Sequence, residues 1–527
     1  MNAFPMTAEP TADALAVAPL LNCLVRELAE PAGALPGGPR SALGSVPRDG
    51  HRTYRLPACG KLLRVSAGHR PGAPEVWAQS SWQPLSHAAL VALVTEEMSL
   101  STGRPNDSLA GEMAESHAAV AAILAARATA TPPADPWLRS EQALVTGHPF
   151  HPAPKARGGA PAGTWLRYAP EAHASFPLVL LGVREDVLAE EGDTTALDAL
   201  GPVPAGYRLL PAHPWQLALA GHLPELHDAF AQGRLIRLGE TSWPVWPTAS
   251  VRTVHVPRGR SLPGEDLFLK FSLDVRITND IRRLWRHDLL TVRRTDRAVA
   301  VAFEALEGPA AWMSDLGYRT VEGLFEPCAV LVREGLDRHL LPGTTALLPA
   351  AIAEGFEGNP LDGLSDPAAW WEAYLRCVVP PVLEVFDRHG LVLECHLQNT
   401  LVAVAPDGLP VQAVFRDPEG VKLLAETGRQ AGWQRLVYCL VVNHLAEIAG
   451  ALADRFPGAA PALWAAVRRE FERYDARRPL PEIAGLLRGA TLPGKANLLL
   501  RWTDADGADS RYLPLPNPLR EAGDGPY

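Results

Sequence analysis

Apolar and polar positions alternate most regularly over residues 267–278. Leu267, Leu269, Phe271, Leu273, Val275 and Ile277 are apolar, with Lys270, Ser272, Asp274, Arg276 and Thr278 between them. Period two predicts a strand with one face in a core and the other carrying alternating charge. Thr278 or Asn279 is then placed to cap a helix that begins at once, with Asp280 complementing its dipole and Arg282 one turn inside. A helix N-terminus at the end of a cationic strand is a ready anion site. Further on, short apolar runs at 391–394 and 400–404, a turn at Ala405, Pro406, Asp407 and Gly408, and a return over 411–415 read as a β-hairpin. Strands are also expected at 176–183, 207–210 and 329–333, with a strand pair inside 52–66. Helical spacing marks 12–30, 85–100, 109–129, 430–456, 460–477, and 366–388 with a kink at Pro380 and Pro381. The end of the chain, LPGKANLLLRW through LPLPNPL, reads as a strand-and-turn finish.

Composition narrows the class. The 527 residues are 47% hydrophobic and 20% charged, which suits an ordinary globular protein of about three domains. The proline-rich break from Thr131 to Pro136 places a first section at 1–139, mostly helical and read as a packing or oligomerisation module. A second runs over 140–308 and a third over 309–527. The net charge of −10 argues against a nucleic-acid binder. Six scattered cysteines without a C-x-x-C pair fit a reduced, cytoplasmic protein. No uninterrupted apolar run of membrane-spanning length stands out, so no membrane association is expected. The N-terminus lacks the basic start of a signal peptide.

Candidate chemistry concentrates in a few stretches. The hairpin ends carry Glu394, His396, Gln398 and Asn399 on one side and Arg416, Asp417 and Glu419 on the other. Carboxylates with an Asn amide oxygen are hard ligands suited to Mg²⁺ and a nucleotide, with Asn399 and Asp417 as the metal pair. In GHPFHPAPKARGG the prolines demand an ordered loop from which His148, His151, Lys155 and Arg157 project. Phosphate binding and a solvated basic loop weigh equally there, and the two histidines lack zinc partners. Ser250, Arg252 and Thr253 offer two hydroxyls and a guanidinium to phosphate oxygens. Trp215 in PAHPWQ and His444 read as packing, and Lys495 and Arg501 as further contributors.

Taken together, GHPFHPAPKARGG, PAHPWQ, PTASVRTV, KFSLDVRITNDIR, ECHLQNTLV and FRDPEG resemble the signature blocks of the siderophore synthetases that work without nonribosomal peptide synthetases, the aerobactin-synthetase family. The resemblance spans about 147–420, and the NPL ending agrees with it. It implies a mixed α+β open hand: a helical thumb (1–139), β-sheet fingers (140–308) and a palm (309–527) whose centre resembles protein kinases. It implies ATP- and Mg²⁺-dependent condensation of a carboxylic acid with an amine or hydroxylamine through an acyl-adenylate. The matching residues would then divide into three groups. Ser250, Arg252, Thr253, Lys270, His148, His151 and Lys155 would face the triphosphate. Glu394, Gln398, Asn399, Asp417 and Glu419 would face nucleotide and metal. Thr278, Arg282 and His396 would bind the acid, with Lys270, Thr278, Arg282 and His396 the catalytic set. A homodimer is the expected assembly. Leu397 stands where the family block has a small residue, and Cys395 is also unusual, which bears on the acid pocket. A small-molecule phosphotransferase and a non-enzymatic binder of a citrate-like chelate are the alternative classes.

Overall fold

The structure is a computed structural model that describes residues 11–32, 50–260, 265–505 and 512–520. Its first part opens with the helix Ala12–Glu27, started by Thr11, whose hydroxyl accepts from the Ala14 amide. The helices His87–Thr102 and Asp107–Arg127 pack on it through Leu20, Leu21, Leu24, Leu90, Val94, Leu109 and Met113. The strand pair expected inside 52–66 is present as His51–Arg55 and Leu62–Ser66. It belongs to a five-stranded antiparallel sheet completed by Glu30–Pro31, Gly72–Ala78 and Ser81–Pro84. The last two strands were not expected, because both are largely half-exposed and lack a clean apolar alternation.

The central element is a six-stranded sheet ordered Trp246–Pro247, Thr253–Val256, Leu267–Phe271, Val330–Glu334, Asp315–Val321 and Leu188–Gly192. Strands from either side of position 308 are therefore hydrogen-bonded in one sheet. The strand Leu267–Phe271 lies inside it, with all five residues buried. The expected solvated, charged face does not exist: neighbouring layers cover both faces. The expected length is also corrected. Pairing stops at Phe271, and Arg276–Ile277 and Asp280–Ile281 form a small hairpin of their own, with Thr278 at its tip at φ 60°.

No helix starts at Thr278 or Asn279; the next one, Arg286–Glu304, begins after Trp285. The intervening backbone donors are spent otherwise. The Leu273 amide donates to the Arg282 carbonyl (2.8 Å), and the Leu284 amide to Ser272 Oγ (2.8 Å). The proposed helix-dipole anion site at 278–282 is therefore absent, and Arg282 follows a turn and not a helix start.

The hairpin near residue 400 stands as expected: Thr400–Val404 pairs with Pro410–Arg416, with Thr400 opposite Phe415. Its turn is closed by the Gly408 amide on the Ala405 carbonyl (2.8 Å), with Gly408 at φ 84°. Leu391–Val392 does not join it and pairs instead with Lys422–Leu423, which leaves 393–399 as a connecting loop. Ala311–Met313 and Thr345–Leu347 complete this four-stranded sheet.

One large core holds the last part together, built from Trp370, Trp371, Tyr374, Phe386, Phe415, Leu440, Ile448 and Phe471. The helix Pro367–His389 runs on through Pro380 and Pro381. The helix Arg429–Arg455 is long and apolar enough to cross a membrane by composition, but 83% of its apolar window is buried in this core. Its middle, Tyr438–Leu445, is π-wound. The helix Ala460–Arg477 has the expected bounds. At the end, Thr491–Lys495 pairs with Tyr512–Pro516. An unexpected helix between them, Asn497–Trp502, sends Leu498 and Trp502 into the first core.

Candidate active site

The tightest charge cluster forms where the buried strand meets the end of the hairpin. Lys270 lies opposite Thr253 on one neighbour and Leu331 on the other. Its ammonium donates to both oxygens of Asp417 (2.9 and 3.0 Å) and to Glu419 Oε2 (2.7 Å). Arg252 reaches the same Glu419 oxygen (3.1 Å), and its other nitrogen caps the carbonyls of Arg282 and Arg283, both at 3.1 Å. Arg333 binds Asp315 (2.5 and 3.2 Å) and stands 3.6 Å from Asp417. Ser250 and Thr253 lie beside this cluster, their hydroxyls 3.4 Å apart.

Burial by itself would raise the Asp417 and Glu419 carboxyls. Lys270 and Arg252, with Arg333 for Asp417, outweigh it and hold both well below the ordinary range, so both are anions at neutral pH. Asp417 is held at φ 77°, a left-handed conformation that a side chain seldom adopts and that clusters at functional sites. Asn399 is brought next to it, because the Arg416 amide donates to the Asn399 carbonyl (3.0 Å).

No group of three or more His, Cys, Asp or Glu able to hold a metal occurs among the described residues. The Asn399 amide oxygen and the Asp417 carboxylate are nevertheless hard oxygen donors of the kind Mg²⁺ takes. That ion takes one or two protein oxygens and completes its shell with phosphate and water.

A second group lies alongside. Arg282 donates to Thr278 Oγ1 (2.7 Å) and to the Ile277 carbonyl (2.9 Å), and has no carboxylate within ion-pair distance among the described residues. Burial, and then Arg252, lower its pKa. In the loop before the hairpin, Glu394, His396, Gln398 and Asn399 are partly exposed while Cys395 and Leu397 are buried. The polar groups of this loop thus stay accessible while its apolar ones enter the core. His396 Nδ1 accepts from the Gln398 amide (3.2 Å), and burial lowers its pKa so that the ring is neutral. Glu394 pairs with Arg435 (2.8 Å), and a Cβ at Gly420 would lie 1.7 Å from Glu394 Oε2, so only glycine fits there.

The histidine–proline loop departs from expectation. It is ordered, but Lys155 and Arg157 do not project toward an anion. Both are buried against the Glu171 carboxylate, and Lys155 also donates to the Leu144 carbonyl. Burial opposes ionisation of Glu171, but the two cations outweigh it and hold the carboxylate ionised. Lys155 is therefore corrected from phosphate ligand to structural ion-pair partner. His148 and His151 each accept from the amide two residues on (3.1 Å in both). Burial drives His148 down to about 3 and His151 well below its usual value, so both rings are neutral. His148 stays half-buried near His396, while His151 is enclosed.

Several residues had no sequence signal. Glu141 binds Arg416 with both oxygens (2.7 and 3.1 Å), and one of them also accepts from the Ala249 amide (3.0 Å). It thereby fixes the Ser250–Thr253 turn against the hairpin. Arg333 and Arg435 were likewise unmarked. His444, read as packing, is so: it lies between Tyr374 Oη (2.5 Å) and the Cys395 carbonyl (2.7 Å). Lys495 stands over the Tyr438 ring at 5.3 Å, whereas Arg501 is tied to Glu112 at 2.7 Å.

The chain is similar to several known proteins. The IucA / IucC family model matches residues 136–354, and that of the ferric iron reductase FhuF-like transporter matches 368–510. An L-2,3-diaminopropanoate–citrate ligase of Staphylococcus aureus is 31% identical over 445 residues, 73% of this chain and 75% of that one. A spermidine–citrate ligase of Bacillus anthracis is 26% identical over 453 residues, 73% of this chain and 72% of its own. The ATP-bound aerobactin synthetase IucA of Klebsiella pneumoniae has the same fold, with TM-score 0.81 at 22% identity over 96% of this chain and 99% of that one. A mixed α/β fold shared along nearly its whole length, and a relative this similar over three quarters of its own, mean that the chain belongs to the IucA/IucC family of aerobactin-type siderophore synthetases.

Proposed function

We propose that the chain is an ATP-dependent ligase that joins a citrate-type carboxylic acid to an amine or hydroxylamine through an acyl-adenylate. The observation that carries this reading is the junction of Lys270, Arg252, Asp417 and Glu419 beside the unpaired Arg282, in a chain whose relatives include citrate ligases. We read the architecture as an open hand, with thumb 1–139, fingers 140–308 and a palm 309–527 built like a kinase centre.

A carboxylate acylates poorly because its oxygen is a poor leaving group. Attack of a carboxylate oxygen on the α-phosphorus expels pyrophosphate and forms a mixed anhydride. The amine then attacks the acyl carbon, loses a proton, and AMP leaves with the carboxylate oxygen. Two anions must first be brought together, which requires fixed cations. In our assignment Ser250, Arg252, Thr253 and Lys270 hold the triphosphate, with His148 at its edge. Asn399 and Asp417 hold Mg²⁺, which when bound offsets phosphate charge. Glu394, Gln398 and Glu419 line the nucleotide side. Arg282, locked to Thr278, presents its fork to a carboxylate, and neutral His396 adds a hydrogen bond. We expect a cytoplasmic homodimer. Six cysteines without a disulfide support a reducing compartment.

The test is pyrophosphate exchange into ATP in the presence of the acid alone. Exchange with citrate-type acids and none without acid supports the adenylate. Exchange that ignores the acid, or ADP as the product, favours phosphoryl transfer.

A further inference from the structure

His444 fills space in the last core, yet both of its ring nitrogens are also engaged. Nδ1 lies 2.7 Å from the Cys395 carbonyl oxygen and Nε2 lies 2.5 Å from Tyr374 Oη. A carbonyl oxygen only accepts, so Nδ1 carries the ring proton. Burial holds the ring down at about 4, which leaves that proton as the single one at neutral pH. Nε2 is then an acceptor, and the Tyr374 hydroxyl donates to it. Tyr374 is itself fixed. It is fully buried in the helix Pro367–His389, with its ring stacked 5.2 Å from Trp370 and 5.5 Å from Trp371. The segment that carries His444, Tyr438–Leu445, is π-wound, a rare geometry that gathers at functional sites.

This row of hydrogen bonds ends one residue before His396. Over 394–396, among the described residues, the Cys395 carbonyl is the backbone group that a different segment holds. The His396 carbonyl accepts from the Asn399 amide of its own loop (3.0 Å). The His396 ring is set from the other side. Its Nδ1 accepts from the Gln398 amide (3.2 Å), so the neutral ring carries its proton on Nε2 and presents that N–H outward. The direction of this N–H depends on the peptide plane between Cys395 and His396. His444 grips the oxygen of that plane.

We propose that His444 is a positioning residue for acid activation: its Nδ1–H holds the Cys395 carbonyl and thereby aims the His396 Nε2–H at the acid. This rests on the ligase reading and on the place of His396 in it, and it deepens both.

The experiment uses the full chain with His444→Asn, His444→Gln and Tyr374→Phe, and repeats His444→Gln in a His396→Ala background. An Asn amide reaches the place of Nδ1 and still donates to the Cys395 carbonyl. A Gln amide reaches the place of Nε2, meets Tyr374 and leaves the carbonyl unheld. Melting temperature, ATP binding without acid, and acid-dependent pyrophosphate exchange are measured. His444→Gln should lose about tenfold in kcat/KM for the acid, the scale of a lost hydrogen bond. His444→Asn and Tyr374→Phe should lower the melting temperature while exchange stays within about threefold of wild type. Without His396, His444→Gln should cost nothing further, because the group it aims is gone. ATP binding should be unchanged throughout. Normal exchange in His444→Gln overturns the inference, as does equal loss in the Asn and Gln variants or a Gln loss that persists in full without His396. If the Gln variant does not fold, loss of exchange in folded Tyr374→Phe or His444→Asn overturns it, since packing alone would then explain both. Absence of acid-dependent exchange in the wild type overturns the ligase reading, and normal exchange in His396→Ala overturns the place of His396. Both are distinct from a result confined to His444.

Discussion

Lys270→Met separates a structural role from a catalytic one. The side chain is 2% exposed, and three carboxylate oxygens of Asp417 and Glu419 lie 2.7 to 3.0 Å from its nitrogen. Removing one partner of a buried ion pair costs about 3–5 kcal/mol, because the remaining charge is left uncompensated. Here Arg252 still meets Glu419 and Arg333 stays near Asp417, while the two carboxylates are 33% and 23% exposed. The expected loss is therefore below that range, about 2–3 kcal/mol. It is read as a shift in the urea midpoint with unchanged m. Adding Asp417→Asn should return part of that stability, with a coupling energy of about 1–3 kcal/mol. Activity should behave differently. Loss of a fixed charge against the phosphates costs about 2.7–4 kcal/mol, or 100- to 1,000-fold in turnover, and the second substitution should not restore it. A Lys270→Met variant within about 0.5 kcal/mol of wild-type stability, the range of a plain surface substitution, and with normal AMP release at saturating ATP would refute the reasoning.

The remaining predictions address other parts of the site. Arg282→Lys and His396→Ala should raise KM for the acid or lower kcat, with ATP binding measured without acid within a few-fold of normal; equal loss of ATP binding would merge the two sites. Glu141→Gln should lower kcat and melting temperature together, because it leaves Arg416 half-paired and loosens the Ser250–Thr253 turn; an unchanged kcat would show that this anchor does not position the turn. His213 is buried, accepts from the Trp215 amide, and has its pKa pushed from 6.5 to about 3 by burial. The unfolded chain takes up that proton below 6.5 while the folded chain does not, so His213 lowers stability as pH drops from 6.5 toward 3, its own share being about 1.4 kcal/mol per pH unit beside that of the other buried histidines. His213→Asn keeps a capping oxygen and should make the fall in melting temperature with pH shallower by that one-proton share; an unchanged slope would refute the contribution of His213.

Much of the fold was legible where local pattern and tertiary role coincide. The hairpin at 400–416 combined β-branched runs with an Asp-Gly turn, and the helix Ala460–Arg477 showed its stripe clearly. The strand at 267 misled in two ways. Alternation continued past Phe271, although pairing is decided by what lies alongside, and the polar positions Lys270 and Ser272 turned out to be buried. Thr278 and Asn279 serve turns as well as helix starts, and here the chain used them for a turn. At the site, residues close in sequence were recognisable, such as Asp417 with Glu419 and Arg252 with Thr253. Partners from distant segments were not. Nothing local joins Glu141 to Arg416, 275 positions away, or removes Lys155 to Glu171.

The central claim is that the acid is activated on its own oxygen. Citrate-type acid carrying ¹⁸O in its carboxyl groups should be condensed with the amine and the AMP analysed by mass spectrometry. The adenylate route transfers one labelled oxygen to each AMP. Label in inorganic phosphate alongside ADP, or unlabelled AMP at full amide yield, would contradict it.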